Sequence, residues 1–401
     1  MLRNWFRFVF DIHHFILTGL IVLLLWLVSL IPIKADFLNP IEQALSDFEL
    51  TDVVFSQLRE EQPADTSIVI VNIGEEDQYS RARIAQQIFN LNRFEPAVIG
   101  IDAFFRAEKD SAMDLLLQGA FATTGQLVLV SKLNYYNDST KCYDTLETSH
   151  PTMFMPFAHS GFANLITEGV EDFRTSRTFS PIERVLDTTE LAFPLKVAAL
   201  YRPASVDAFL QRGNPVEHIN FRGNKDKFFV LDVDQVLDPQ TDLSIVKGKI
   251  VLMGYMGRNL SHNTWGEDKF FTPMNKKFAG KSYPDMYGIV VHANIVSMLL
   301  SNQYIDVMPA GLSLAVGVLL LFFNVVVFSL MLKKMPLLYG FVTVFWQLFV
   351  TIFLLSIVLV LFSQFSYKAD VTLAVVAVLI AADVCDIYFS LIGITIRTTK
   401  S

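Results

Sequence analysis

"AGLSLAVGVLLLFFNVVVFSLML", residues 310–332, decides what kind of protein this chain encodes. The run carries no charge, and Asn324 is its only strongly polar side chain. A helix needs about 20 residues to cross the hydrocarbon core of a bilayer, so this stretch is long enough to span one. Working outward, two more apolar runs follow, and "FILTGLIVLLLWLVSLIPI" precedes it at 15–33. The buried core of a soluble protein accounts for one such run. Four of them, three nearly consecutive, read as transmembrane helices over 15–33, 309–332, 337–362 and 370–394.

The 401 residues are 52% hydrophobic and 18% charged, against about 25% charged in an ordinary soluble domain. The deficit is confined to the four runs. Residues 34–308 have the composition of a soluble domain large enough for a substantial core. The first run is longer than the apolar part of a usual signal peptide, and "PIKADF" after it offers no small-x-small cleavage site, so a retained anchor is expected. Arg3 and Arg7, Lys333 and Lys334, and Arg397 and Lys400 fall on one side of a four-span chain; Lys34 and Lys368 fall on the other. Positive charge favours the cytoplasmic side. That places residues 1–14 and 395–401 in the cytoplasm and the 34–308 domain outside it, in the periplasm of a cell with an inner membrane.

A net charge of -8 without a basic stripe argues against a nucleic-acid partner. The two cysteines, Cys142 and Cys385, fall in different segments, which excludes a disulfide scaffold.

Within the large domain, "SIVIVNIGEEDQ" (67–78) supplies a strand apolar on both faces, as in a covered parallel sheet. Before it, 36–62 has helical spacing through Leu45, Phe48, Val53 and Leu58. After it come "RARIAQQIFNLNRF", with Ile84, Ile88 and Leu91 three or four apart, the strand "AVIGIDAFF", the helix "DSAMDLLLQGAF" and the strand "QLVLVSKL". This β-α-β-α-β order predicts a mainly parallel sheet in an α/β fold. Residues 134–160 read as a long loop or an inserted hairpin, and the next stretch as short strands around Gly169 with a ladder through Arg174 to Phe179. "LAFPLKVAALYRP" reads as a helix, "VEHINFRG" as a strand, "DVDQVLD" as a short helix capped by Asp232, "GKIVLMGYM" as a strand, and 288–301 as a closing helix.

Ligands of open parallel sheets sit outside the carboxyl ends of the strands. Glu75, Glu76 and Asp77 follow the first strand there, Asp102 ends the second, and Gly254 and Gly257 follow the "GKIVLMGYM" strand. Such acidic groups hold a cation or a cationic ligand, or else cap helices and solvate loops. Asp102, flanked by Ile101 and Ala103, needs a partner if ionised, with Arg83 or Arg106 as the nearest choices. Asp102→Asn and His292→Ala are therefore both expected to weaken the domain. No G-x-G-x-x-G follows a strand, and H-E-x-x-H and G-x-S-x-G are absent. "DVDQVLDPQTDLS" lacks the central glycine of a calcium loop, and His13, His14, His150, His159, His218, His262 and His292 show no metal-ligand spacing. No catalytic residue and no cofactor is expected, and no metal is identified. In the fourth run, Asp383 and Asp386 share a helical face, expected to pair or to contact the bundle. Asn324 is suited to a cross-helix hydrogen bond.

Taken in order, "IVIVNIGEED", "AVIGIDAFF", "VEHINFRG", "GKIVLMGYMG", "DKFFTP" and "YGIVVHAN" make residues 50–305 resemble the CHASE2 extracytoplasmic sensory domain of bacterial receptors. The resemblance implies a sensor with one span before the domain and three after. Asp102, Asp268 and His292 occupy its recurrent polar positions. Two departures stand out. The family's tryptophan- and proline-rich segment ending in arginine is replaced by "QYSRARIA", with Arg81 or Arg83 as its remnant. The chain also stops seven residues after Ile394, with no room for a kinase or cyclase output domain. The expectation is a non-catalytic sensory or regulatory module. Its polar site is drawn from Glu75, Asp77, Arg83, Asp102, Asp268 and His292. Such a module binds a periplasmic ligand or protein and acts through membrane or envelope protein partners; a homo-oligomer is in keeping with a receptor-like chain. The alternative is a structural or docking subunit of an envelope complex.

Overall fold

A computed structural model describes residues 2–30, 49–78, 80–168, 175–260, 268–275 and 283–391. The chain divides into two compact units, Pro40–Ile305 and Met1–Asn39 with Asp306–Ser401. Leu45, Phe48, Gly169, Arg174 and His262, along with Lys34, Arg397 and Lys400 of the orientation argument, lie outside the described residues, as does the side chain of Arg3.

The first unit is built on a mixed sheet. Strands β1 (Ile68–Asn72), β2 (Val98–Asp102), β3 (Leu127–Asn137), β4 (Cys142–Glu147) and β5 (His159–Phe162) come first in the chain. After β6 (Ile166–Glu168) and β7 (Thr175–Phe179) come β8 (Ile182–Val185), β9 (Thr188–Leu191), β10 (Glu217–His218), β11 (Phe229–Leu231) and β12 (Ile250–Gly254). The large sheet runs β11-β1-β12-β2-β3-β4-β8-β9, with β5 also on β3. From β11 through β3 and β5 every pair is parallel. The antiparallel part begins where β3 outruns the core and folds back as a hairpin with β4, so the 134–160 insertion is in part a hairpin. "VEHINFRG" contributes only the two residues of β10, which pair with β7 in a separate small sheet. The Ile219 N–H still donates to the Arg177 carbonyl, and from Asn220 on the chain is held by side-chain contacts rather than a ladder.

The buried strands are covered on both faces. Helices Ser80–Asn92 and Ser111–Ala122 lay Ile84, Ile88, Leu117 and Phe121 on Val69, Val71, Ile99, Ile101 and Met253. On the opposite face lie helices Phe193–Tyr201 and Gly288–Ser301. A Cβ on Gly100 would come within 2.9 Å of Phe193 and Val197, and one on Gly254 within 2.6 Å of Ile289. Those two glycines let the helices approach the sheet.

Among its described residues, the second unit holds four helices long and apolar enough to cross a membrane: Trp5–Ser29, Ala310–Lys334, Pro336–Phe365 and Thr372–Leu391. Residues 31–33 and 392–394 of the expected runs lie outside the described residues. Leu17, Ile21, Leu321, Val325, Phe328, Ala377 and Ala381 form its core. Trp346 Nε1 donates to Asn324 Oδ1 at 2.8 Å, joining two helices, while Asn324 Nδ2 donates within its own helix to the Leu320 carbonyl. Asp383 and Asp386 are exposed. The buried stripe of their helix is Ala374, Ala377, Ala381, Cys385 and Phe389, which turns both carboxylates outward.

Candidate functional site: the crevice at the strand ends

β12, the last long strand, is inserted between β1 and β2, and the crevice lies at the carboxyl ends of these three. Asn72, the fully buried last residue of β1, ties this edge together. Its Oδ1 accepts from the N–H groups of Gly74 (3.1 Å) and Met256 (3.0 Å), and its Nδ2 donates to Asp232 (2.9 Å) and to the Gly257 carbonyl (3.0 Å). All four side-chain hydrogen-bonding positions of the amide are therefore used. Asp232 also caps the short helix Val233–Leu237, as its position suggests. Gly74 turns the chain out of β1 at φ +78, the left-handed region that favours glycine.

Arg83 clamps the loop that follows. Its guanidinium donates to the carbonyls of Ile73 and Glu75 and to the Asp77 carboxylate at 2.9 Å. Arg83 and Asp77 thus work behind the loop, while Glu75 lines the crevice. That crevice is a cavity of about 600 Å³. Its polar lining comes from Glu75, Glu76, Arg81, Asp102, Arg106 and Lys109; Ile73, Ile84, Phe105 and Tyr255 are among its apolar walls.

Each cation here is already engaged. Arg81 is buried and bonded to the buried carboxylate of Asp114 and to the Ala107 carbonyl. Arg106 pairs with Glu147 and lies over the Phe104 ring, and Lys109 pairs with Glu76 at 2.8 Å. Neither Arg83 nor Arg106 pairs with Asp102, contrary to expectation. The Asp102 carboxyl has no hydrogen-bond or ion-pair partner among the described residues. Burial, reinforced by the neighbouring Asp268 carboxylate, pushes it up to about 7. Burial also pushes Asp268 up to about 6.

Asp268 adopts φ +53, and its carbonyl accepts from the Gly288 N–H at 3.1 Å. Lys269 and Phe270 then pair antiparallel with Met286 and Tyr287, and Thr272 donates twice to Asp285. "DKFFTP" is thus the clamp on the first turn of the Gly288–Ser301 helix.

His292 sits elsewhere. It is buried on that helix with its ring edge-on to Phe193, 5.2 Å between centroids, and it does not line the cavity. Burial lowers its pKa to about 3, so it is neutral, and Nδ1 finds no hydrogen-bond partner among the described residues. Two turns hold the co-occurring motifs together. Asn294 accepts from the N–H groups of Arg222 and Gly223 and donates to the Gly223 carbonyl, and Ser297 accepts from Arg222.

The structure therefore gathers Glu75 and Asp102 at the cavity, with Asp268 beside Asp102, and sets Asp77, Arg83 and His292 apart from it. Reading the chain alone missed Asn72, Asp114 and Tyr255. An asparagine closing an apolar strand is the one local signal that marks the first. Among the described residues, no group of three or more His, Cys, Asp or Glu side chains is placed to hold a metal ion.

The CHASE2 domain family model matches residues 17–330, well over half of the chain. The chain belongs to the CHASE2 family, a family of sensory domains. The match begins inside the first apolar helix and ends inside the second, so it reaches beyond the quoted motifs on both sides. No curated protein and no solved structure matches the chain.

Proposed function

We propose that the protein is a sensory or regulatory module of a bacterial inner membrane. It takes its signal in the crevice outside β1, β12 and β2 and passes it through its membrane helices to a separate partner. The domain of residues 34–308 is periplasmic in this reading, the four apolar helices span the bilayer, and both termini are cytoplasmic. One observation carries the reading. The Asp102 carboxyl, without a partner among the described residues, opens on the cavity and interacts with Asp268, the residue that holds the first N–H of the Gly288–Ser301 helix. That helix is the last one before the chain reaches Ala310, so occupancy of the crevice has a covalent route toward the second apolar helix. An unpaired buried carboxyl is costly to ionise in place, and a ligand that relieves that cost shifts the balance of states by its differential affinity.

Affinity purification of the full-length protein in mild detergent, wild type beside Asp102→Asn, tests this by mass spectrometry of co-purifying proteins. The reading expects a regulatory or enzymatic partner whose recovery changes with Asp102→Asn. A stoichiometric set of envelope proteins recovered equally with both would instead make the chain a structural or docking subunit.

A further inference from the structure

The charge balance of the crevice names the chemistry of what it binds. Its three cations each have a carboxylate of their own: Asp114 for Arg81, Glu147 for Arg106 and Glu76 for Lys109. The other two lining carboxyls, of Glu75 and Asp102, have no ion-pair partner among the described residues, and Asp268 adds further negative charge beside Asp102. The amino end of the Ser80–Asn92 helix also borders the cavity and contributes a positive partial charge of about half a unit. That is too little to offset two unmatched carboxylates. The excess is acidic, and it calls for a cation.

The size of the cavity and its walls restrict which cation. About 600 Å³ is the size of a site for a small organic molecule rather than a bare ion. The described residues offer no set of three ligands for a metal. Ile73, Ile84, Phe105 and Tyr255 give a hydrocarbon body somewhere to lie. We infer that the crevice binds a small aliphatic amine, its ammonium group at the Asp102 carboxylate, Glu75 at the mouth, and its chain against the apolar wall. This inference rests on the crevice being the sensory site and names the ligand class of that site.

Isothermal titration of the full-length protein in mild detergent at pH 8 tests it, with putrescine and n-butylamine as probes and glutarate and calcium chloride as contrasts. The amines are expected to bind. Asp102→Asn is expected to weaken them at least tenfold, the scale of one lost charge-assisted hydrogen bond. Glu75→Gln, on an exposed loop residue, is expected to weaken them several-fold and keeps the test valid if the first variant does not fold. Absence of amine binding at millimolar concentration overturns the inference. So does binding of glutarate or calcium in place of the amines, or amine binding unchanged in both variants. The two readings fail separately. Amine binding alongside a partner insensitive to Asp102 would overturn the signalling role alone, whereas a partner that responds to Asp102 without amine binding would overturn the ligand class alone.

Discussion

Asp102 and His292 are both polar residues set in apolar elements of one domain, and the structure treats them oppositely. His292 is sealed between its helix and Phe193, where burial keeps it neutral far below physiological pH. Asp102 ends a central strand with no partner among the described residues, at the wall of a cavity, and burial pushes its carboxyl up to about 7. A polar residue in a buried element is thus a packing piece when the fold closes over it and a candidate for a site when the fold leaves it facing space. Arg81 is a third case. It is nearly as buried as His292, yet it is bonded to the Asp114 carboxylate and the Ala107 carbonyl.

The largest effect is expected where pairing is complete. Arg81→Ala leaves the buried Asp114 carboxylate without its counter-charge, with the Lys109 N–H still donating to it at 2.8 Å, and losing one partner of a buried pair costs about 3–5 kcal/mol. Thermal unfolding of the full-length protein in detergent measures it, and a loss under 1 kcal/mol would mean the pair is not buried as described. His292→Ala comes next, at about 2–4 kcal/mol, because it empties space beside Phe193. The loss should be smaller at pH 6 than at pH 8, by about 1 kcal/mol or less, since the folded ring is neutral at both while the unfolded chain's imidazole, with its ordinary value of 6.5, gains a proton at pH 6. A loss as large at pH 6 as at pH 8, or larger, would put a charged histidine back into the account.

Asp102→Asn gives the sharpest contrast. The folded state raises this carboxyl from its ordinary 3.8 to about 7. Folding therefore binds its proton more tightly, and the stabilisation from protonation, full below pH 3.8, is lost as pH rises through 7. Each unit of that rise is worth about 1.4 kcal/mol. Asp268 and Asp285, raised to about 6, act in the same direction at lower pH. Unfolding temperature should thus fall between pH 6 and pH 8 in the wild type and fall less in Asp102→Asn. At pH 8 the variant should equal or exceed the wild type, the reverse of the weakening expected from the sequence, because no described residue pairs with Asp102. The charged neighbours to be held constant are Glu75, Glu76, Arg81, Arg106, Lys109 and Asp268. The smallest effect belongs to Lys109→Ala. Its pair with Glu76 is exposed, so stability should change by about 1 kcal/mol or less, while the crevice becomes more acidic and amine binding tightens. Weaker amine binding in this variant would count against the charge argument.

What the sequence disclosed follows from range. The doubly apolar strands, the helices with three-or-four spacing and the Asp232 cap are local patterns, and each was legible. The insertion of β12 between β1 and β2 was not, because a parallel ladder leaves no sign of which strand lies beside which. Glu75 and Asp102 were legible as strand-end acids, since position along a strand is local. The fate of Arg83 was not. The sequence puts it near enough to serve Asp102, but one helical turn sends its guanidinium to the carbonyls of Ile73 and Glu75 instead. "VEHINFRG" read as a strand because its alternation is strand-like, yet its second half is held by Asn294 and Ser297 from a helix some 70 residues on.

The central claim is that the crevice and the Gly288–Ser301 helix form one responsive unit. Hydrogen exchange of the full-length protein in detergent at pH 8, wild type against Asp102→Asn, tests it most directly. The account predicts changed exchange in residues 268–275 and in the first two turns of the Gly288–Ser301 helix. Changes confined to β2 and the 73–77 loop would contradict it.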